Sequence, residues 1–173
     1  MFSRLKFVKK VSYKNHNSKT VLRDAVFLIE KLCNEKLDGL DIVNYKYDPT
    51  FAVDELGLDY ELVMQLLDDY VAQIIKSILQ FEDFLKTLHN SQEAKEELDY
   101  TPFRELAHKN LGVARNLRIK DAEILLYQLM KKDDLDYLLT CLEALKACAI
   151  RLSPDCAYNT LKLIEVKNSI LNV

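Results

Sequence analysis

Between residue 19 and about residue 36 the chain sets Val21, Leu22, Ala25, Leu28, Ile29 and Leu32 at three- and four-residue steps, the spacing of one buried face on an α-helix. Gly39 stands where such a helix would stop. The polar stretch 41–48, with Tyr45 and Tyr47 inside it, breaks the pattern, and Asp48-Pro49 signals a new start. A short helical turn through Phe51 and Leu56 follows, ended by Gly57. Asp59 is then suited to cap a long helix reaching about Leu88, whose apolar set is Leu62, Val63, Leu66, Leu67, Tyr70, Val71, Ile74, Ile75, Ile78, Phe81, Leu85 and Leu88. So sustained a stripe belongs to a helix that packs. The polar stretch 90–99 reads as a linker or a frayed helix end.

Thr101-Pro102 predicts the next helix, with Thr101 as N-cap and Pro102 in the first turn, where its missing N–H costs nothing. The pattern carries that helix to about Ile119. Asp121 is placed to cap another through Leu125, Leu126 and Leu129 to Met130, and Asp133 or Asp134 a third, through Leu138, Leu142 and Leu145 to about Leu152. Ser153-Pro154 resets the chain before a terminal helix carrying Tyr158, Leu161, Ile164 and Ile170. The expected fold is all-α. The long helix and the three after it, joined by short connections, are most simply packed as an up-down-up-down four-helix bundle, with additional N- and C-terminal helices against it. The expected organisation is a basic arm and amphipathic helix over 1–46, the bundle over 47–152, and a helical extension over 153–173.

Composition agrees. Only 3 Gly and 3 Pro punctuate 173 residues, which favours long helices over a many-stranded sheet. That length buries roughly two thirds of the unfolded surface without help from disulfides or metals. No apolar run approaches the ~18 residues of a membrane span, and residues 1–11 alternate basic and apolar side chains unlike a secretory signal, so the expected location is cytoplasmic. Cys33, Cys141, Cys148 and Cys156 form no CxxC pair; Cys141 and Cys148 share one helix face, as buried thiols of a reducing compartment do. Charge is uneven: seven basic residues and no acid precede Asp24, leaving 17 of the 24 basic residues against all 27 acidic ones in the remainder. A basic arm on an acidic body can steer toward nucleic acid, lipid or an acidic partner; the preferred reading is a solvated terminus, and no nucleic-acid partner is expected.

The helix beginning at Thr101 carries the chemistry. Turned by roughly 100° per residue, it puts Phe103, Leu106, Ala107, Asn110, Ala114 and Leu117 on one side and Glu105, His108, Gly112, Arg115 and Asn116 on the other. His108 therefore faces outward. Gly112, one turn later on the same face, costs roughly 1 kcal/mol of helix propensity relative to Ala. What it gives in return is close access to the imidazole.

The segment Ala107-His108-Lys109-Asn110-Leu111-Gly112-Val113-Ala114 resembles the active helix of the histidine-containing phosphotransfer domains of bacterial phosphorelays, in which a phosphorylated histidine is followed four residues later by glycine in the pattern H-x-L-K-G. Upstream, residues 51–59 followed by Glu61-Leu62 and Leu66-Leu67 look like that family's short helix, glycine break and long first bundle helix. The resemblance spans about residues 47–152. It departs from the pattern at Asn110, where the family has Leu, and at Leu111, where it has Lys; the lysine stands instead at Lys109. The resemblance implies that His108 is phosphorylated; Lys109 and Arg115 are the candidates for local positive charge near it, and Glu105 and Gly112, flanking it on the helix, are expected in the contact. It implies as partners the receiver domains of response regulators, or a hybrid histidine kinase, with Mg²⁺ on the receiver and no cofactor on this chain. Contact is expected on this helix and on the adjacent long helix.

Two other readings differ in chemistry. Glu105 and His108 also spell the Glu-x-x-His of di-iron bundles, but such a site needs a second copy of the motif, and neither His16 nor His89 has a glutamate three residues before it. No metal site is expected. Glycine-rich phosphate loops and nucleophile–base pairs are absent from the sequence, which speaks against an autonomous enzyme. The nearer alternative is a receiver-binding adaptor with the same fold and weak or no phosphotransfer.

Overall fold

The structure is a computed structural model, and it describes residues 17–172. Seven α-helices are found among the described residues: α1 (Ser18–Glu35), α2 (Pro49–Leu56), α3 (Tyr60–Glu93), α4 (Thr101–Asn116), α5 (Lys120–Lys131), α6 (Leu135–Leu152) and α7 (Pro154–Leu171). The fold is all-helical. The basic residues before Asn17 lie outside the described residues.

Short polar side chains set most of the starts. Asn17, Asp48, Asp59 and Asp134 each accept a hydrogen bond from a backbone N–H in the first turn of α1, α2, α3 and α6, which satisfies donors that have no partner within the helix. Gly57 ends α2 at φ 64°, a left-handed conformation glycine adopts without the clash a Cβ would bring.

Two expected caps are corrected. Thr101 is the first residue of α4, not its cap; the Asp99 carboxylate accepts from the Thr101 N–H at 2.9 Å. Asp121 sits inside the first turn of α5, buried, because Arg151 of α6 reaches it at 2.9 Å. An ion pair across two helices takes the side chain that sequence alone assigns to a helix end. Helix ends shift as well. α3 continues to Glu93, past the expected Leu88, and closes with Glu96 N–H on Ser91 O and Lys95 N–H on Gln92 O. α4 stops at Asn116, short of Ile119, with Ile119 N–H on Ala114 O and Arg118 N–H on Arg115 O. Both closures need a left-handed residue, and here it is Lys95 (φ 57°) or Arg118 (φ 62°) rather than glycine.

Packing centres on α6, which buries Leu138, Cys141, Leu142, Leu145, Cys148 and Ala149 among others on nearly every side. It touches α1, α3, α5 and α7, while α4 packs on α3 and α5. One hydrophobic cluster joins side chains from α1 and α3 to α7, together with Leu37 and Ile42 of the segment after α1. Phe81 of α3 and Phe103 of α4 meet edge to face at 5.0 Å between centroids. The thiols of Cys33, Cys141 and Cys148 are free and buried, and Cys156 is partly so. No described helix is long and apolar enough to cross a membrane.

The segment between α1 and α2 is tied down more firmly than its polar sequence suggests. Arg151 donates to Ile42 O and Val43 O, each at 2.9 Å, as well as to Asp121. Further along, Tyr47 donates to Leu117 O at 2.9 Å, and Tyr45 donates to Arg118 O while accepting from Lys120 N–H, both at 3.2 Å. These bonds clasp the turn between α4 and α5.

Candidate functional site

α4 is amphipathic, with Phe103, Ala107, Asn110, Leu111 and Ala114 buried. That fixes its rotation and leaves Glu105, His108, Gly112, Arg115 and Asn116 exposed, as the periodicity predicts, and Lys109 exposed with them. A methyl group placed on Gly112 would meet nothing within 4 Å. Internal packing therefore does not require the glycine, and the space beside it opens to solvent.

Asn110, at an apolar position one step from the exposed face, is buried and bonded on both sides. Its amide nitrogen donates to Leu106 O at 2.9 Å, and its oxygen accepts from the Ser77 hydroxyl of α3 at 3.3 Å. This polar residue thus fastens α4 to the long helix. Leu111 is 1% exposed, so at that position the chain offers the core a leucine and the surface no cation.

His108, Thr101, Arg104, Glu105, Lys109 and Met130 line an open depression of about 460 Å³ between α4 and the end of α5. The long helix lends none of these lining residues, and it is Asn110 that reaches α3. Arg104 was missed in the sequence although it lies four residues before His108 on the same face. Its guanidinium pairs with Asp133 and lies 5.1 Å from the centroid of the Tyr100 ring. That leaves a held, half-exposed cation one turn from the imidazole.

Arg115 is placed differently from Lys109. It pairs with Glu123 of α5 at 3.2 Å and lines a second open depression of about 410 Å³ with Lys120, Ile124, Tyr127 and Gln128. Of the residues singled out in the sequence, Glu105, His108 and Lys109 thus share one depression, Arg115 belongs to the next, and Gly112 lies between them on the same helix face.

The strongest electrostatic perturbations lie inside the fold. Burial pushes the Asp121 carboxyl up despite the Arg151 guanidinium, and it also raises the Cys148 thiol and the Tyr70 hydroxyl. Tyr70 is buried with no hydrogen-bond partner for its hydroxyl. No group of three or more His, Cys, Asp and Glu placed to hold a metal occurs among the described residues. Compared with known families, curated proteins and solved structures, the chain matches none of them.

Proposed function

We propose that this chain is a phosphorelay intermediate of the histidine-containing phosphotransfer kind, which accepts a phosphoryl group on His108 from an aspartate of a receiver domain and passes it to another. The observation that carries the reading is an exposed imidazole with an empty flank one turn away at Gly112. A receiver must bring an aspartyl phosphate to within bonding distance of a ring nitrogen, and a bare helix face is what such an approach needs. The helical layout is compatible with that function. α3, α4, α5 and α6 pack each on the next, and α6 packs back on α3, which we read as the up-down-up-down bundle.

In the forward step the lone pair of one imidazole nitrogen attacks phosphorus in line. The N–P bond forms as the bond from phosphorus to the aspartyl oxygen breaks; the carboxylate leaves with that electron pair, and the ring keeps the proton on its other nitrogen. Arg104 and Lys109, which share the depression with His108, offset part of the phosphoryl charge, while the receiver brings the Mg²⁺. The chain's contribution is presentation and local charge, so it acts as a carrier and not as a free-standing enzyme.

A receiver-binding adaptor without transfer is the second reading. The burial of Leu111 favours it, since the cation of the family pattern is missing there. One assay separates the two. The full chain is incubated with a ³²P-labelled receiver domain and followed by gel and by titration of binding. Transfer puts acid-labile, base-stable label on the chain, and His108→Gln abolishes it. Binding with no label on the native chain would establish the adaptor, and neither binding nor label with any receiver would end both readings.

A further inference from the structure

α7 has two apolar stripes. Ala157, Leu161 and Ile164 pack into the core, and on nearly the opposite side of the helix a second stripe, Leu163, Val166 and Ile170, faces out. Leu163 and Ile170 are 70% and 69% exposed, and Leu171 beside them is 72% exposed. The side chains bordering the outward stripe are Lys162 and Lys167; Asp155 lies two turns before it, and Glu165 lies half-buried on the other side. α1, which packs against α7, adds Phe27, 68% exposed, with Arg23 and Lys31 four residues either side of it. Its exposed acids are Asp24, Glu30 and Glu35, the first paired with Arg23 at 3.4 Å.

We infer that the outward stripe of α7, with Phe27 of α1, is a docking surface for an anionic lipid bilayer. Apolar side chains of this size enter the boundary between headgroups and acyl chains, and flanking lysines meet anionic headgroups. A second copy of the chain fits less well, because pairing α7 with itself would set Lys162 and Lys167 against their own copies. The sequence before α1 favours lipid independently: Arg4, Lys6, Lys9, Lys10 and Lys14 alternate with Phe2, Leu5, Phe7 and Val8, without an acid, while the rest of the chain is acidic. Such a separation of charge orients the molecule toward an anionic surface with its basic end leading. This inference stands apart from the role of His108.

The test is co-sedimentation of the full chain with vesicles of phosphatidylcholine alone and of phosphatidylcholine and phosphatidylserine in equal amounts, alongside analytical ultracentrifugation without lipid. The expected result is binding to the phosphatidylserine vesicles only, weakened at least about tenfold between about 0.1 M and about 1 M salt. Binding should fall at least about tenfold in Leu163→Ser/Ile170→Ser and, independently, in Lys162→Glu/Lys167→Glu, with helical content unchanged. Equal binding to neutral vesicles, no binding, or undiminished binding by both variants would overturn the inference. So would a dimer in solution that the Leu163→Ser/Ile170→Ser change dissolves.

Discussion

Gly112→Ala should strengthen the fold and weaken the proposed function. In the middle of α4 an alanine is favoured over glycine by about 0.8–1.0 kcal/mol of helix propensity. Because the added methyl meets nothing within 4 Å, no clash subtracts from that gain. For a chain of this length about 1 kcal/mol corresponds to a rise of about 2–4 °C in Tm, measurable by circular dichroism or calorimetry. The same methyl stands in the gap a receiver must enter, so label transfer to His108 should slow, and a bulkier Gly112→Leu should slow it further while the chain stays folded. If Gly112→Ala stabilised the protein and left transfer from a receiver unchanged, the glycine would have no role in access, and the argument that distinguishes His108 from any surface histidine would fail.

Other expectations follow from the packing. Ser77→Ala should cost about 1–3 kcal/mol in urea unfolding, because it strips the buried Asn110 oxygen of its Ser77 donor. Asn110→Leu should cost less, since the serine hydroxyl can turn to its own helix, and the double variant should recover most of the loss; additive costs would mean the two side chains do not interact. Lys95→Gly should stabilise the chain by about 1 kcal/mol by relieving the left-handed backbone at the end of α3, and a loss in thermal midpoint would contradict this. Arg151→Met leaves Asp121 buried without its guanidinium and frees two carbonyls, so a loss of about 3–5 kcal/mol is expected, with hydrogen exchange rising over residues 42–47. Burial also raises the Glu82 and Glu143 carboxyls. Their contribution is complete below the unfolded glutamate pKa and is lost as pH rises through the folded values, so these two groups favour the fold more as pH falls from neutral into that window, and Glu82→Gln/Glu143→Gln should remove that component from the dependence of urea midpoint on pH.

The helices were legible because α1, α3, α4 and α6 each keep one face apolar for at least four turns and carry recognisable starts. Asp48, Asp59 and Asp134 cap where the sequence suggests they should. Asp121 misled because the competing claim on its carboxylate comes from Arg151, thirty residues away, and no local pattern announces such a pair. The ends of α3 and α4 were misjudged for a related reason. A helix usually stops in the left-handed region at glycine, and here lysine and arginine take that conformation. At the site, periodicity gave the outward face of His108 and the company of Glu105, Gly112 and Arg115. Which neighbouring helix borders the depression depended on how Asn110 is bonded, and that required its partner on α3. Arg104 lay within reach of the same turn-by-turn reasoning.

The clasp made by Tyr45, Tyr47 and Arg151 bears on how this protein can be dissected. Its hydroxyls close the carbonyls at the α4–α5 corner, and its backbone carbonyls in turn quench a guanidinium at the end of α6. A fragment beginning at residue 47 would therefore lose the Tyr45 bonds at the α4–α5 corner and leave Arg151 with Asp121 but without its two backbone carbonyls. Residues 47–152 are thus sewn to what precedes them, and sequence changes between residues 41 and 47 would be felt along the helix that bears His108.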